Sequence, residues 1–238
     1  MSDARIRLYY NDDVDIDITC YAPWFDVMPA SESSAEKAFY LRLSRGGLTL
    51  HRGDDRRGIG VTPSEIKRRA VRGSTLARAV GVRSTPVVLD VMAGLGRDGL
   101  ALAHMGCRVT LVERVPALWA LLKNLTARLG SDCDVRLDDG WKVVGRASAD
   151  VIYLDPMYPV RGKRALPGKE LQYLRALAAP SGHGVAEWVE HARRHARQRV
   201  VLKRRAADAV VTEPDWQIRG RQVRYDIYRA GGGAFNGA

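Results

Sequence analysis

The chain has 238 residues, 46% hydrophobic and 27% charged, enough for one large core and a smaller appendage. No apolar run approaches the ~20 residues of a membrane helix, and Cys20, Cys107 and Cys133 stand too far apart for a zinc site or a disulfide framework. The polar, acidic start lacks the apolar core of a secretory signal, so a cytoplasmic protein is expected.

The formal charge of +11 is unevenly spread. Residues 1–36 carry two basic and eight acidic side chains, and residues 37–83 carry twelve and three. Residues 84–160 are near neutral, with eight and nine, and residues 161–238 carry sixteen and seven. Two cationic segments therefore flank a neutral middle, a pattern suited to a polyanion such as nucleic acid. The abundance of arginine, 31 against 7 lysines, is also what codon bias alone would produce.

In chain order, residues 1–36 read as a poorly anchored arm or small subdomain. The alternating run Ala38 to Gly53 around Gly46-Gly47 predicts a hairpin. A basic helix is expected from a Thr62 cap, with Pro63 at its first position, through Val80, ended by Gly81. From Pro86 the pattern alternates strand and helix. Strands are expected at 87–89, 108–112, 133–137, 150–154, 199–203 and 223–229. Helices are expected up to about Met105, over Pro116 to Leu129, and over Glu187 to Arg197. Such alternation predicts a parallel α/β sheet.

Ligands of such sheets bind beyond the carboxyl ends of the strands. Gly94 and Gly96 follow the first of these strands, where backbone must approach a ligand closely. Arg97 and Asp98 open the next helix, and Glu113 ends the second strand, where a carboxylate can accept both hydroxyls of a ribose. Asp138-Asp139-Gly140 ends the third strand, where an adenine edge would lie, and Asp155 ends the fourth. Gly94, Gly96 and Gly99 also satisfy a dinucleotide pattern, so NAD competes. No diphosphate logic accounts for Asp155-Pro156-Met157-Tyr158, however, whereas S-adenosylmethionine accounts for both features.

Amino-methyltransferases acting on bases use an Asp/Asn-Pro-Pro-aromatic loop. An aromatic amine is a poor nucleophile because its lone pair is delocalised, and an acceptor that binds its protons orients the nitrogen. Here Asp155 and Pro156 would hold the amine and Tyr158 would stack on the base, with Met157 in place of the second proline. A tight buried turn is the plain alternative.

At these residues the chain resembles the bacterial small-subunit (16S) ribosomal RNA guanine-N2 methyltransferases of the J type. The resemblance rests on Asp90-Val91-Met92-Ala93-Gly94-Leu95-Gly96-Arg97-Asp98, Met105 to Val109, Glu113 to Pro116, Tyr153 to Pro159, Val200 to Arg204 and Arg224 to Tyr228. It covers roughly residues 40–230. It implies S-adenosylmethionine as cofactor and methyl transfer to N2 of one guanosine in ribosomal RNA or the small ribosomal subunit. It further implies that Arg97, Asp98, Glu113, Arg114 and Asp155 contact the cofactor or its surroundings. The family's paired serines fall on Asp139 and Gly140, and the N-terminal arm departs from the family pattern.

The expected architecture is a Rossmann-like methyltransferase sheet with helices on both faces over residues 84–230. A β-rich extension with a basic helix precedes it over 1–83, and a disordered tail follows over 231–238. The basic segments, with Lys163, Arg164, Lys169 and Arg175, would hold RNA, and Tyr158 would stack on a flipped guanine. No metal is expected, because a sulfonium leaves as a neutral thioether, and no membrane partner is expected. Methylation of adenine N6 or cytosine N4 in RNA or DNA, or RNA binding without catalysis, remain open on the residues alone, as does the oligomeric state.

Overall fold

The structure, a computed structural model, describes residues 5–11, 18–32, 38–157, 168–178 and 182–231. Four strands form a small N-terminal sheet: β1 (Arg7–Tyr10), β2 (Asp26–Pro29), β3 (Phe39–Ser44) and β4 (Gly47–Arg52), in the order β2-β1-β3-β4. The expected hairpin is β3–β4, closed with Ser44 opposite Gly47. Of the two readings of residues 1–36, the described ones fit the small subdomain. β1 lies parallel to both β2 and β3, with Leu8 opposite Val27 and Leu41, and Leu8, Tyr9, Tyr21 and Phe25 are buried. Short strands with non-local partners leave little local pattern to read.

The expected basic helix is two helices, α1 (Pro63–Arg69) and α2 (Thr75–Val80). Thr62 caps α1 in a reciprocal box with Glu65, as its position suggested. The break comes at Ala70 to Ser74, where Ser74 caps a new helix by accepting from the Ala77 N–H. Gly81, in the left-handed region, ends α2. Ile66, Leu76, Ala79 and Val80 bury against the same core as Val88 and Val109, so both helices cover one face of the larger sheet.

That sheet has seven strands: β5 (Val87–Asp90), β6 (Arg108–Glu113), β7 (Asp134–Leu137), β8 (Ala149–Leu154), β9 (Ala196–Arg205), β10 (Trp216–Arg219) and β11 (Val223–Arg229). Their order is β10-β11-β9-β8-β5-β6-β7. It is parallel through β7, β6, β5, β8 and β9, but β11 runs antiparallel to β9 and β10 antiparallel to β11. A purely parallel sheet was too simple an expectation, because β10 and β11 follow β9 without a crossover helix and can only turn back.

The remaining helices are α3 (Arg97–His104), α4 (Pro116–Leu129), α5 (Gly140–Val144), α6 (Lys169–Leu177) and α7 (Val185–His195). Helix α4 has Pro116 in its first turn, buries Leu118, Leu121, Leu122 and Leu125 at helical spacing, and stops at left-handed Gly130. α1 to α4 contribute to one face of the sheet, and α5 and α7 to the other. The small sheet packs on α4, where the buried Asn124 amide oxygen accepts from the Leu48 N–H at 2.9 Å. Of the expected tail, Gly231 is tied to Arg193 O by its N–H, and residues 232–238 lie outside the described residues.

Candidate active site

The carboxyl ends of β5, β6 and β8 open into a cleft of about 1210 Å³. Gly94, Gly96, Arg97, Asp98, Glu113 and Arg114 line it, and so do Asp139, Gly140, Asp155 and Pro156. These ten residues therefore reach one cavity, whereas Asp138 and Lys169 do not line it. Tyr158, Lys163 and Arg164 lie outside the described residues.

The residues differ in what they do there. Gly94 has φ +54°, and a Cβ added to it would meet nothing nearer than the Met92 carbonyl at 4.0 Å. It would stand in the cleft. Gly96, at φ +74°, is glycine for packing: a Cβ there would lie 2.3 Å from Leu122. At Gly140 a Cβ would lie 2.4 Å from the Val91 carbonyl, so glycine lets α5 start against the end of β5. The Asp139 carboxylate caps that helix, accepting from the Trp141 and Lys142 N–H groups.

Glu113 is buried at the end of β6, with one carboxylate oxygen on the Gly94 N–H at 2.9 Å and the other on the Val115 N–H at 2.8 Å. Burial pushes its carboxyl up, and these backbone donors pull against it. The Arg114 N–H also donates to this carboxylate, which keeps acceptor capacity for a ligand hydroxyl. Arg114 is exposed at the cleft wall. Arg97 is committed elsewhere, gripping Glu170 of α6 through both guanidinium nitrogens at 2.5 and 2.8 Å.

Asp98 is the centre of a buried network. Oδ1 takes the Arg69 guanidinium at 2.6 Å, and Oδ2 takes the Tyr153 hydroxyl at 2.7 Å and the Lys203 ammonium at 2.8 Å. Lys203 also donates to Asp155 Oδ2 at 2.6 Å. Burial alone would raise the Asp98 carboxyl, but Lys203 and Arg69 hold it below the usual range. Burial raises the Asp155 carboxyl even with Lys203 pulling it down. Beneath them, burial pushes the Asp90 carboxyl well above the usual range, and Asp155 and Asp98 push the same way. Asp155 keeps 32% of its side chain exposed, and Met157 beside it is exposed by 45%.

Residues 30–230 match the family described as "Putative SAM-dependent methyltransferase". The chain belongs to this S-adenosylmethionine-dependent methyltransferase family. The methyltransferase is 41% identical over 179 residues to the ribosomal RNA small subunit methyltransferase J of Thioalkalivibrio sulfidiphilus, spanning 68% of this chain and 70% of that relative. It is 37% identical over 232 residues to the protein of the same name from Alkalilimnicola ehrlichii, spanning 86% and 87%. The crystal structure of a SAM-dependent methyltransferase from Neisseria gonorrhoeae superposes with a TM-score of 0.72 at 25% identity, covering 95% of this chain and 97% of that one. The cofactor of the methyltransferase is S-adenosylmethionine.

The cleft suits that cofactor. Glu113 offers a carboxylate to vicinal hydroxyls, Gly94 leaves space a Cβ would fill, and the volume leaves room for a second ligand beside a nucleoside. Sequence reasoning about the methyltransferase assigned no role to Arg69, Tyr153 or Lys203. Arg69 carried no signal beyond its charge. Tyr153 and Lys203 lie in segments expected as strands, and only the pairing of β8 with β9 brings them together.

Proposed function

We propose that this methyltransferase transfers a methyl group from S-adenosylmethionine to the exocyclic N2 of a guanosine in small-subunit ribosomal RNA, acting in the cytoplasm. The observation that carries the reading is Asp155: a partly exposed carboxylate at the end of β8, opening into the same cleft as Glu113 and Gly94. S-adenosylmethionine supplies an electrophilic methyl on a sulfonium that departs as a neutral thioether. The chain's own residues bind and orient. Glu113 would hold the cofactor ribose, and the Gly94 backbone would pass close to it. Asp155 would accept a hydrogen bond from the guanine amine, turn its nitrogen toward the methyl, and take the proton released as the new N–C bond forms and the C–S bond breaks. Pro156 stiffens the turn that carries Asp155, and Tyr158 would stack on the base. Asp98, whose oxygens are taken by Arg69, Tyr153 and Lys203, would position Lys203 rather than touch the cofactor.

Ribosomal RNA as the substrate is supported by the curated relatives' name and by the charge distribution. Arg57, Arg68 and Arg221 are exposed and available to phosphates, whereas Lys169 is held by Asp55 and Arg219 by Gln217. Nucleoside mass spectrometry of small-subunit RNA after reaction tests the reading. N2-methylguanosine is the expected product. N6-methyladenosine, N4-methylcytidine or an unmodified RNA would overturn it.

A further inference from the structure

We propose that Lys203 and Asp155 together form the reader of the target base, presenting a donor–acceptor–acceptor row that pairs with the Watson–Crick edge of guanine. The inference rests on guanine N2 as the methyl acceptor and adds how the enzyme selects that base.

The geometry is set by two atoms on neighbouring strands. Lys203 lies on β9 and Asp155 follows the end of β8, and these strands pair with Leu154 opposite Leu202. The Lys203 ammonium stands 2.6 Å from Asp155 Oδ2, so a donor adjoins two acceptors that share one carboxyl carbon. Guanine presents the complementary row: O6 accepts, N1–H donates and N2–H donates. N1 and N2 are bonded to one carbon, as the two carboxylate oxygens are, so the two pairs match in spacing. With N2–H on Oδ1 and N1–H on Oδ2, O6 falls beside the Lys203 ammonium. The same contact leaves the N2 lone pair free of the ring plane's hydrogen bonds.

Other bases fail against this row. Adenine would set its N6–H donor against the Lys203 ammonium and its N1 acceptor against a carboxylate oxygen. Cytosine presents donor, acceptor and acceptor, the same order as the protein, and so opposes it throughout. Unpaired groups in a desolvated cleft are costly, which makes the mismatch a strong filter.

The row is held rigid from behind. Asp98 anchors the Lys203 ammonium at 2.8 Å, and Asp98 is itself fixed by Arg69 and Tyr153. Only 19% of the Lys203 side chain is exposed, so it cannot swing freely into solvent. A lysine serving only to neutralise Asp98 would need no second carboxylate at 2.6 Å on the cleft side.

Atomic substitution in the RNA provides the test. Small-subunit RNA is assembled with guanosine, 2-aminopurine or 2,6-diaminopurine at the position mapped as methylated. All three keep the nucleophilic amine. 2-Aminopurine lacks O6 and N1–H, and 2,6-diaminopurine puts an N–H donor where O6 stood. The expected order of kcat/KM is guanosine, then 2-aminopurine about 100-fold lower, then 2,6-diaminopurine lower again because donor faces donor. In Lys203→Met, which is checked for retained cofactor binding, the gap between 2-aminopurine and 2,6-diaminopurine should close, and guanosine should fall toward both. Diaminopurine equal to or better than 2-aminopurine in the unaltered enzyme would overturn the proposal, as would full discrimination in Lys203→Met. A mapped product other than N2-methylguanosine would defeat the functional reading itself, which keeps the two failures apart.

Discussion

The Gly94 N–H donates to Glu113 Oε2 across 2.9 Å, tying the glycine turn after β5 to the acid that ends β6. The turn and the acid are thus one unit, and a ligand that meets Glu113 also meets the backbone of Gly94. Removing the carboxylate should both delete a ribose acceptor and loosen the turn. Glu113→Ala should weaken S-adenosylmethionine binding by about 1.5–3 kcal/mol, the range of hydrogen bonds to a charged group. Glu113→Gln should cost less, since it still accepts one bond. Isothermal titration calorimetry measures both, and unchanged affinity in Glu113→Ala would remove Glu113 from the cofactor site.

Asp155→Ala should lower transfer by about 10²–10⁴-fold while S-adenosylmethionine still binds. Asp155 must be ionised to accept the amine proton. Because burial raises its carboxyl, the acid limb of the kcat profile should lie above the ordinary carboxylate range, with activity present above that limb and lost as pH falls through it. Single-turnover rates across pH measure the limb, and retained activity in Asp155→Ala would exclude its role.

Gly140→Ala places a Cβ 2.4 Å from the Val91 carbonyl, a backbone atom that cannot rotate away. The α5 start must shift from the end of β5, costing about 1–3 kcal/mol of stability by overpacking. A lowered Tm, with weaker cofactor binding from the displaced Asp139-Gly140 segment, is the expected result of thermal melts and titration.

Asp55 ties the turn after β4 to α6, accepting from the Tyr173 hydroxyl at 2.7 Å and from Lys169 at 2.9 Å. Burial works against its charge, but Tyr173 and Lys169 hold its carboxyl at about 2, below its ordinary 3.8. A lowered native value means the anchor is fully present above the unfolded value and lost as pH falls from about 4 through about 2. Its contribution, on the order of 1 kcal/mol for a solvent-screened pair, should appear as faster amide exchange in α6 below pH 3. Tyr173→Phe should show that exchange already at neutral pH.

Elements were legible where local pattern and local capping coincide. Val87-Val88-Leu89 is apolar without interruption because β5 is central and buried on both faces. Helix α4 carries its proline, its apolar stripe and its terminal glycine within one segment. Ser74, which caps α2, was a local signal as well, hidden inside an otherwise helical composition. β1 and β2 were not legible, since four-residue strands are stabilised by partners such as Leu41 that lie far along the chain.

The amino-acid sequence by itself determined the α/β order, the glycine turn after β5, and the acids at the ends of β6 and β8. Each of these is a property of a short segment whose neighbours in sequence are its neighbours in space. Only the tertiary structure decided which of those groups are spoken for. Arg97 grips Glu170 of α6, and Asp98 is saturated by Arg69, 29 residues before it, and by Lys203, 105 residues after it. The pairing of β8 with β9 puts the Lys203 ammonium against Asp155, and no local pattern records a contact made across a sheet.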